Sequence, residues 1–226
     1  FHMRTIKKVA SHIFIDGFGG MTQGLFATLI IGTMIQQIGL LIGGSTGNVI
    51  YLLGKAAAAL TSAGIGVGVA VKYGESPLVT VSAAVAAMVG GYAGKITGGT
   101  FFVDGNAVLA GPGEPLGAFI AAFAGITCGH LVSGKTKVDI IVTPVITIGA
   151  GSVVGLLVGP PISQMMTGLG SIINWATEQR PFIMGIVVSV VMGMVLTLPI
   201  SSAALGIILN LSGLAAGAAT IGCCCN

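Results

Sequence analysis

KITGGTFFVDGNAVLAGPGEP, from Lys95 to Pro115, decides how the chain folds. The stretch carries Gly98, Gly99, Gly105, Gly111 and Gly113, the prolines Pro112 and Pro115, and the polar residues Asp104, Asn106 and Glu114. A helix facing lipid does not tolerate that combination. Glycine and proline free backbone N–H and C=O groups, and hydrocarbon offers them no partner. Irregular backbone survives at membrane depth only when it is buried in protein or lines a cavity. The stretch therefore predicts a re-entrant hairpin rather than a span.

The sequence on either side is what makes membrane depth the right frame. Of 226 residues, 54% are hydrophobic and only 7% charged, with 38 glycines, and the mean hydropathy is +1.03. A soluble domain carries about 25% charged residues, so this chain cannot cover a water-facing surface and a soluble enzyme is excluded. An all-α polytopic membrane protein is expected, with about six to eight transmembrane segments, some re-entrant or broken. The net charge of +3 includes no basic run longer than Lys7-Lys8, so nucleic acid is not an expected partner. Phe1 to Arg4 does not open a signal peptide. Cys128 lies in an apolar stretch, and the consecutive Cys223, Cys224 and Cys225 cannot supply the C-x2-C spacing of a zinc site. No metal, cofactor or disulfide framework is expected.

Read along the chain, residues 3–18 set Arg4, Lys7, Lys8 and His12 against Ile6, Val9, Ile13, Phe14 and Phe18. That pattern suits an interfacial helix over 1–18 on the cytoplasmic leaflet, with a transmembrane domain over 19–226. Spans are expected over about 21–42, 48–71, 77–94, 115–132, 138–159 and 181–198, at roughly 20 residues each. Gln36 and Gln37 fall inside the first and should face other helices. Gly159-Pro160-Pro161 should break the 138–159 helix, leaving 162–179 as an amphipathic segment with Trp175 at headgroup depth. Pro199-Ile200-Ser201-Ser202 introduces a second break. Two interrupted segments are what inverted-repeat transporters use to build a midplane site. Charge counting supports a hairpin over 95–115, since it leaves Lys72, Lys135 and Lys137 on the inner side with the N-terminus.

Glu114 is the sharpest candidate. A carboxylate between a glycine-rich break and a helix start can accept two substrate hydroxyls, and an ionisable group at membrane depth is a functional candidate by default; it can equally cap the next helix. Asp104 and Asn106 suit the same polar pocket, or a plain Asp-Gly-Asn turn. Thr197, Ser201, Ser202 and Asn210 offer hydroxyl and amide contacts at the second break, although Ser and Thr also bond back to carbonyls freed by proline. His130 suits a helix end interacting with the last carbonyls, or a transport role. Lys55 suits snorkelling to the outer surface, or pairing with a buried carboxylate. No catalytic constellation is recognisable: H-E-x-x-H, Walker A and a partnered serine nucleophile are all missing.

GNAVLAGPGEPLGAFIAA, TLPISSAALGIIL, the terminal GLAAGAATIGCCCN and the early FIDGFGGMTQGLFATLIIGTMIQQIG together resemble the EIIC membrane subunit of the phosphoenolpyruvate-dependent sugar phosphotransferase system. They are most similar to an EIIC-like subgroup that includes proteins labelled toxin or perfringolysin regulators. The resemblance covers essentially the whole chain. It implies a homodimeric permease of the bacterial inner membrane with a cytoplasmic N-terminus, re-entrant hairpins and a longer family chain. It also implies a site for a sugar or polyol between a scaffold and a moving transport domain. Glucose-type relatives place a substrate-binding Glu in a G-x-x-E element, which Gly111 to Glu114 matches, so that role is carried onto Glu114 alone. Phosphotransferase activity would need a separate cytoplasmic phosphoryl-carrier subunit. The alternative is an EIIC-like sensor or regulator of gene expression that does not transport.

Overall fold

The computed structural model describes residues 16–103, 106–108, 111–196 and 217–218. Contacts divide the chain into two compact units, 1–160 and 161–226. The first opens with α1, Phe18–Ile42, a 25-residue apolar helix long enough to cross a membrane. A π-helical turn at Phe26–Ile30 lies within it. The chain reverses at Gly43, where φ is +65°, and returns as α2 (Gly44–Ala59) and α3 (Thr61–Lys72), bent by 53° between them. The single helix expected over 48–71 is thus two. One local and one distant donor support that break: Thr61 Oγ1 bonds to Ala58 O at 2.6 Å, and Tyr92 Oη reaches Ala59 O at 3.2 Å. Irregular backbone at membrane depth needs such partners for its freed carbonyls.

After a turn at Lys72 to Ser76, α4 (Pro77–Gly91) starts with the Ser76 hydroxyl accepting from the Val79 N–H. It gives way at Tyr92 to the short α5 (Ala93–Thr97), and then to a two-stranded ladder, β1 (Phe102–Val103) with β2 (Asn106–Ala107), antiparallel. The 95–115 segment is therefore no helical hairpin; a short helix, a β-turn-sized ladder and a Gly-Pro-Gly loop replace it. It nevertheless fails to span, as the sequence required. The Glu114 N–H donates to Gly91 O at 2.7 Å, so the chain comes back to the level at which α4 ended.

From there α6 (Pro115–Val132) runs antiparallel to α4, and α7 covers Asp139–Gln179 as one 41-residue helix. The expected break at Gly159-Pro160-Pro161 does not occur. Each proline removes only its own N–H from the ladder, and helices at membrane depth carry such losses where neighbours re-satisfy the carbonyls. The prolines instead mark the boundary between the two units. Trp175 is exposed on α7, and α8 (Pro181–Leu196) follows.

Small residues hold the first unit together. On α7, Thr143, Thr147, Gly151, Gly155 and Gly159 recur every fourth residue and are all buried. A Cβ at Gly151 would meet Ala121 O, and one at Gly155 would meet the Gly90 backbone. Along α1, Gly20 faces Gly68, Gly24 faces Gly64, Gly32 faces Gly54 and Ala58, and Gly39 faces Gly47 and Tyr51. Lipid tails are as apolar as the side chains, so hydrophobic sorting cannot drive this association. Close backbone approach along small-residue seams supplies packing contacts in its place.

The architecture is the all-α membrane class the composition requires, with fewer spans than expected. Among the described residues three helices are long and apolar enough to cross a membrane, and the bent α2–α3 pair makes a fourth. The expectation of about six to eight counted 77–94 as a full span, whereas α4 has only 15 residues. Residues 197–216 and 219–226 lie outside the described residues, as does almost all of the expected interfacial helix.

Candidate functional site at a mid-helix break

The contact pairs along α1 fix the level of the break. Leu60 falls between the Gly24–Gly64 and Gly32–Ala58 contacts, beside the π-helical turn at Phe26–Ile30. That is about half-way along a helix of roughly 37 Å. Four backbone irregularities meet at this level: the π turn, the α2–α3 bend, the end of α4 at Tyr92, and the Gly111 to Glu114 loop. π turns inside α-helices are frequent at functional sites.

The loop is held by three donors. Ser62 Oγ donates to Pro112 O at 3.0 Å, Tyr92 Oη also lies within hydrogen-bonding distance of Gly111 O, and the Glu114 N–H bonds to Gly91 O. One phenolic proton serves both Ala59 O and Gly111 O, so Tyr92 pins the loop to the α2–α3 break. Its side chain is only 1% exposed. Phe101 packs on the Tyr92 ring at 5.5 Å between centroids, and Lys95 Nζ stands 5.3 Å from the same ring centre. Gly113 has φ +74°, and both it and Gly91 press so closely on the Ser62 hydroxyl that a Cβ on either would collide with it. Glycine is required at 113 on both counts.

Glu114 occupies the N-cap position of α6, with extended backbone. Its main-chain carbonyl accepts from Ala118 N at 3.0 Å. The side chain does not close a cap: the Leu116 N–H faces the carboxylate without forming a capping bond. Oε1 is buried and has no hydrogen-bond partner among the described residues. Helix capping therefore does not use Oε1. A buried acceptor without a donor costs about 1–3 kcal/mol, a cost a hydroxylated ligand would remove.

The other expected contacts are placed as follows. Asn106 lies on the exposed strand β2, opposite Val103. Asp104, Thr197, Ser201, Ser202 and Asn210 fall outside the described residues. His130 sits at the far end of α6, where Nδ1 lies 3.0 Å from one oxygen of Glu75 and 3.2 Å from the other. Among the described residues no cluster of His, Cys, Asp or Glu could hold a metal ion. Sequence reasoning missed Ser62 and Tyr92. The available signal was chemical: a tyrosine beside Gly90-Gly91 in an apolar run needs a partner for its hydroxyl.

Helices broken half-way through the membrane, with a carboxylate held at the break, are the build of a membrane transport protein. Residues 15–226 match the family described as "Phosphotransferase system, EIIC", and the chain belongs to that family. It is an EIIC-type membrane subunit that works with other components of a phosphotransferase system. No curated protein and no solved structure matches it.

Proposed function

We propose that this chain binds and translocates a sugar or polyol by alternating access, coupled to a separate cytoplasmic phosphoryl-carrier subunit, as a homodimer in the bacterial plasma membrane with its N-terminus inside. The observation that carries the reading is Glu114 Oε1, a buried acceptor without a partner among the described residues, at the break half-way along the helices. An ionised carboxylate accepts hydrogen bonds only, and a polyhydroxylated ligand brings donors in pairs. In this reading Asp104, Asn106, Thr197, Ser201, Ser202 and Asn210 supply further contacts.

The family assignment supports a permease subunit that works with other phosphotransferase components, and a phosphoryl-carrier subunit is the partner this reading requires. The test is direct binding of labelled sugars and polyols to the purified protein, compared with Glu114→Gln. Saturable binding lost in the variant is the expected result. Absence of binding across a broad panel, with the variant folded as the parent is, would overturn the reading and favour a regulator without transport.

A further inference from the structure

The hairpin formed by α1 and α2 has two flanks of opposite character. Its helices are antiparallel and meet through Gly32, Gly39, Gly47 and Gly54. Viewed end-on, antiparallel helices wind in opposite senses, so the residue following each contact glycine falls on the same side. Leu40, which follows Gly39, is apolar; the polar residues of the flank are Thr33 after Gly32, Asn48 after Gly47, Lys55 after Gly54, and Gln37 one turn beyond Thr33. All four are exposed. The opposite flank carries Ile31, Met34, Ile38, Val49 and Leu53, also exposed and apolar, with the exposed Thr46 at the turn end of the hairpin.

Depth turns this asymmetry into a constraint. The Gly32–Gly54 contact sets Lys55 level with Thr33, about 14 Å from the Ile42 end of α1. Hydrocarbon does not accept an ammonium or a bare amide there, and such groups face a bundle interior or a water-filled cavity. Gln36, its neighbour, is turned into the seam and donates to Gly32 O at 3.4 Å. The Gln37 and Lys55 side chains have no hydrogen bond or ion pair among the described residues. The polar flank also continues to the site: Ala59 lies one turn beyond Lys55, and Tyr92 ties Ala59 O to Gly111 O in the loop that carries Glu114.

We infer that Gln37 and Lys55 line a water-filled vestibule on this flank, opening on the Gly111 to Glu114 loop, while the Met34 and Leu53 flank faces lipid. Resting on the sugar reading of the site, this vestibule is the route by which a polyhydroxylated ligand reaches Glu114. Gln37 offers both donor and acceptor to its hydroxyls, and Lys55 a donor.

The test is thiol accessibility in the full-length chain reconstituted into liposomes. Gln37→Cys, Lys55→Cys, Met34→Cys and Leu53→Cys are each labelled with a charged, membrane-impermeant thiol reagent. Incorporation is measured above that of the unsubstituted chain, with glucose and sorbitol as protecting probes. The expected result is labelling at 37 and 55 at least tenfold faster than at 34 and 53, slowed by one of the probes. Equal, slow labelling on both flanks overturns the inference, as does a disulfide cross-link between two copies at 37, which would make the flank a protein interface. Fast labelling at 37 and 55 without protection upholds the vestibule and counts against the sugar reading, so the two failures are distinguishable. The two positions are independent, and loss of folding in one leaves the other to decide.

Discussion

Glu75 and Glu114 are both shielded carboxylates in loops that precede a helix, and the protein uses them in opposite ways. The Glu75 side chain is 9% exposed and lies against His130 Nδ1 through both oxygens. With Glu75 ionised, Nδ1 must carry the ring proton, and the acceptor is satisfied within the chain. The pair ties the α3–α4 turn to the end of α6, and Ser76 Oγ to Ser133 Oγ at 3.3 Å repeats the tie one residue on. Glu114 is at the other end of α6, half-way along the neighbouring α1, with Oε1 unpartnered among the described residues. One acid is consumed by structure, while the other keeps an acceptor free where three helices are interrupted. Scarcity of charge alone marks both residues; the partner, or its lack, separates them.

The largest effect that sharpens this contrast is a double dissociation in ligand binding. Glu114→Gln keeps size and shape but replaces one acceptor oxygen by a donor. A hydrogen bond to a charged group contributes about 1.5–3 kcal/mol, so affinity for the transported sugar is expected to fall by about 10- to 100-fold. Folding should hold, because Oε1 has no bond among the described residues to lose and the amide oxygen can still face the Leu116 N–H. Glu75→Gln should leave affinity unchanged. Isothermal titration of both variants against one sugar checks the pair; equal losses would erase the distinction between the two acids.

Next in size is Tyr92→Phe, which removes the donor shared by Ala59 O and Gly111 O. Two part-buried carbonyls lose a partner, at a cost of about 0.5–1.5 kcal/mol. The expected outcome is a lower thermal midpoint in detergent together with weaker sugar binding, since the loop that carries Glu114 is loosened. A lower midpoint with unchanged affinity would show that Tyr92 stabilises the bend without positioning the loop. Gly113→Ala acts on the same loop from the other side. A residue with a Cβ at φ +74° costs about 1–2 kcal/mol, and here the methyl also meets Ser62 Oγ. Its thermal midpoint should fall, and Ser62→Ala introduced beside it should recover part of the loss.

These variants act on features that differ in how far the sequence disclosed them. The membrane class and the failure of 95–115 to span were legible, because each follows from what hydrocarbon forbids. The 48–71 break was not. Nothing in Ala56 to Thr61 resembles a helix stop, and the bend exists because Thr61 and a tyrosine 33 residues away supply donors. The prolines at 160 and 161 misled in the other sense, since local propensity marks a stop where the membrane environment sustains the helix. Asn106 shared a turn-like sequence with Asp104, and spacing could not say whether that turn faced a pocket or solvent. The pairing of Glu75 with His130 was equally hidden, since the two are 55 residues apart and meet only once α4 and α6 pack antiparallel.

That pairing defines the smallest expected effect. His130→Asn removes the imidazole from Glu75 while leaving a side chain able to donate a hydrogen bond. His130 is 72% exposed, and ion pairs open to solvent contribute about 0.2–1 kcal/mol. A difference of that size is a shift of a few degrees in the thermal midpoint, and it should shrink as salt is raised because exposed charges are screened. Sugar affinity should be unchanged, since the pair lies a whole helix length from Glu114. A fall in affinity comparable to that of Glu114→Gln would mean that the two ends of α6 are coupled. In that case Glu75 would belong to the transport machinery as much as Glu114 does.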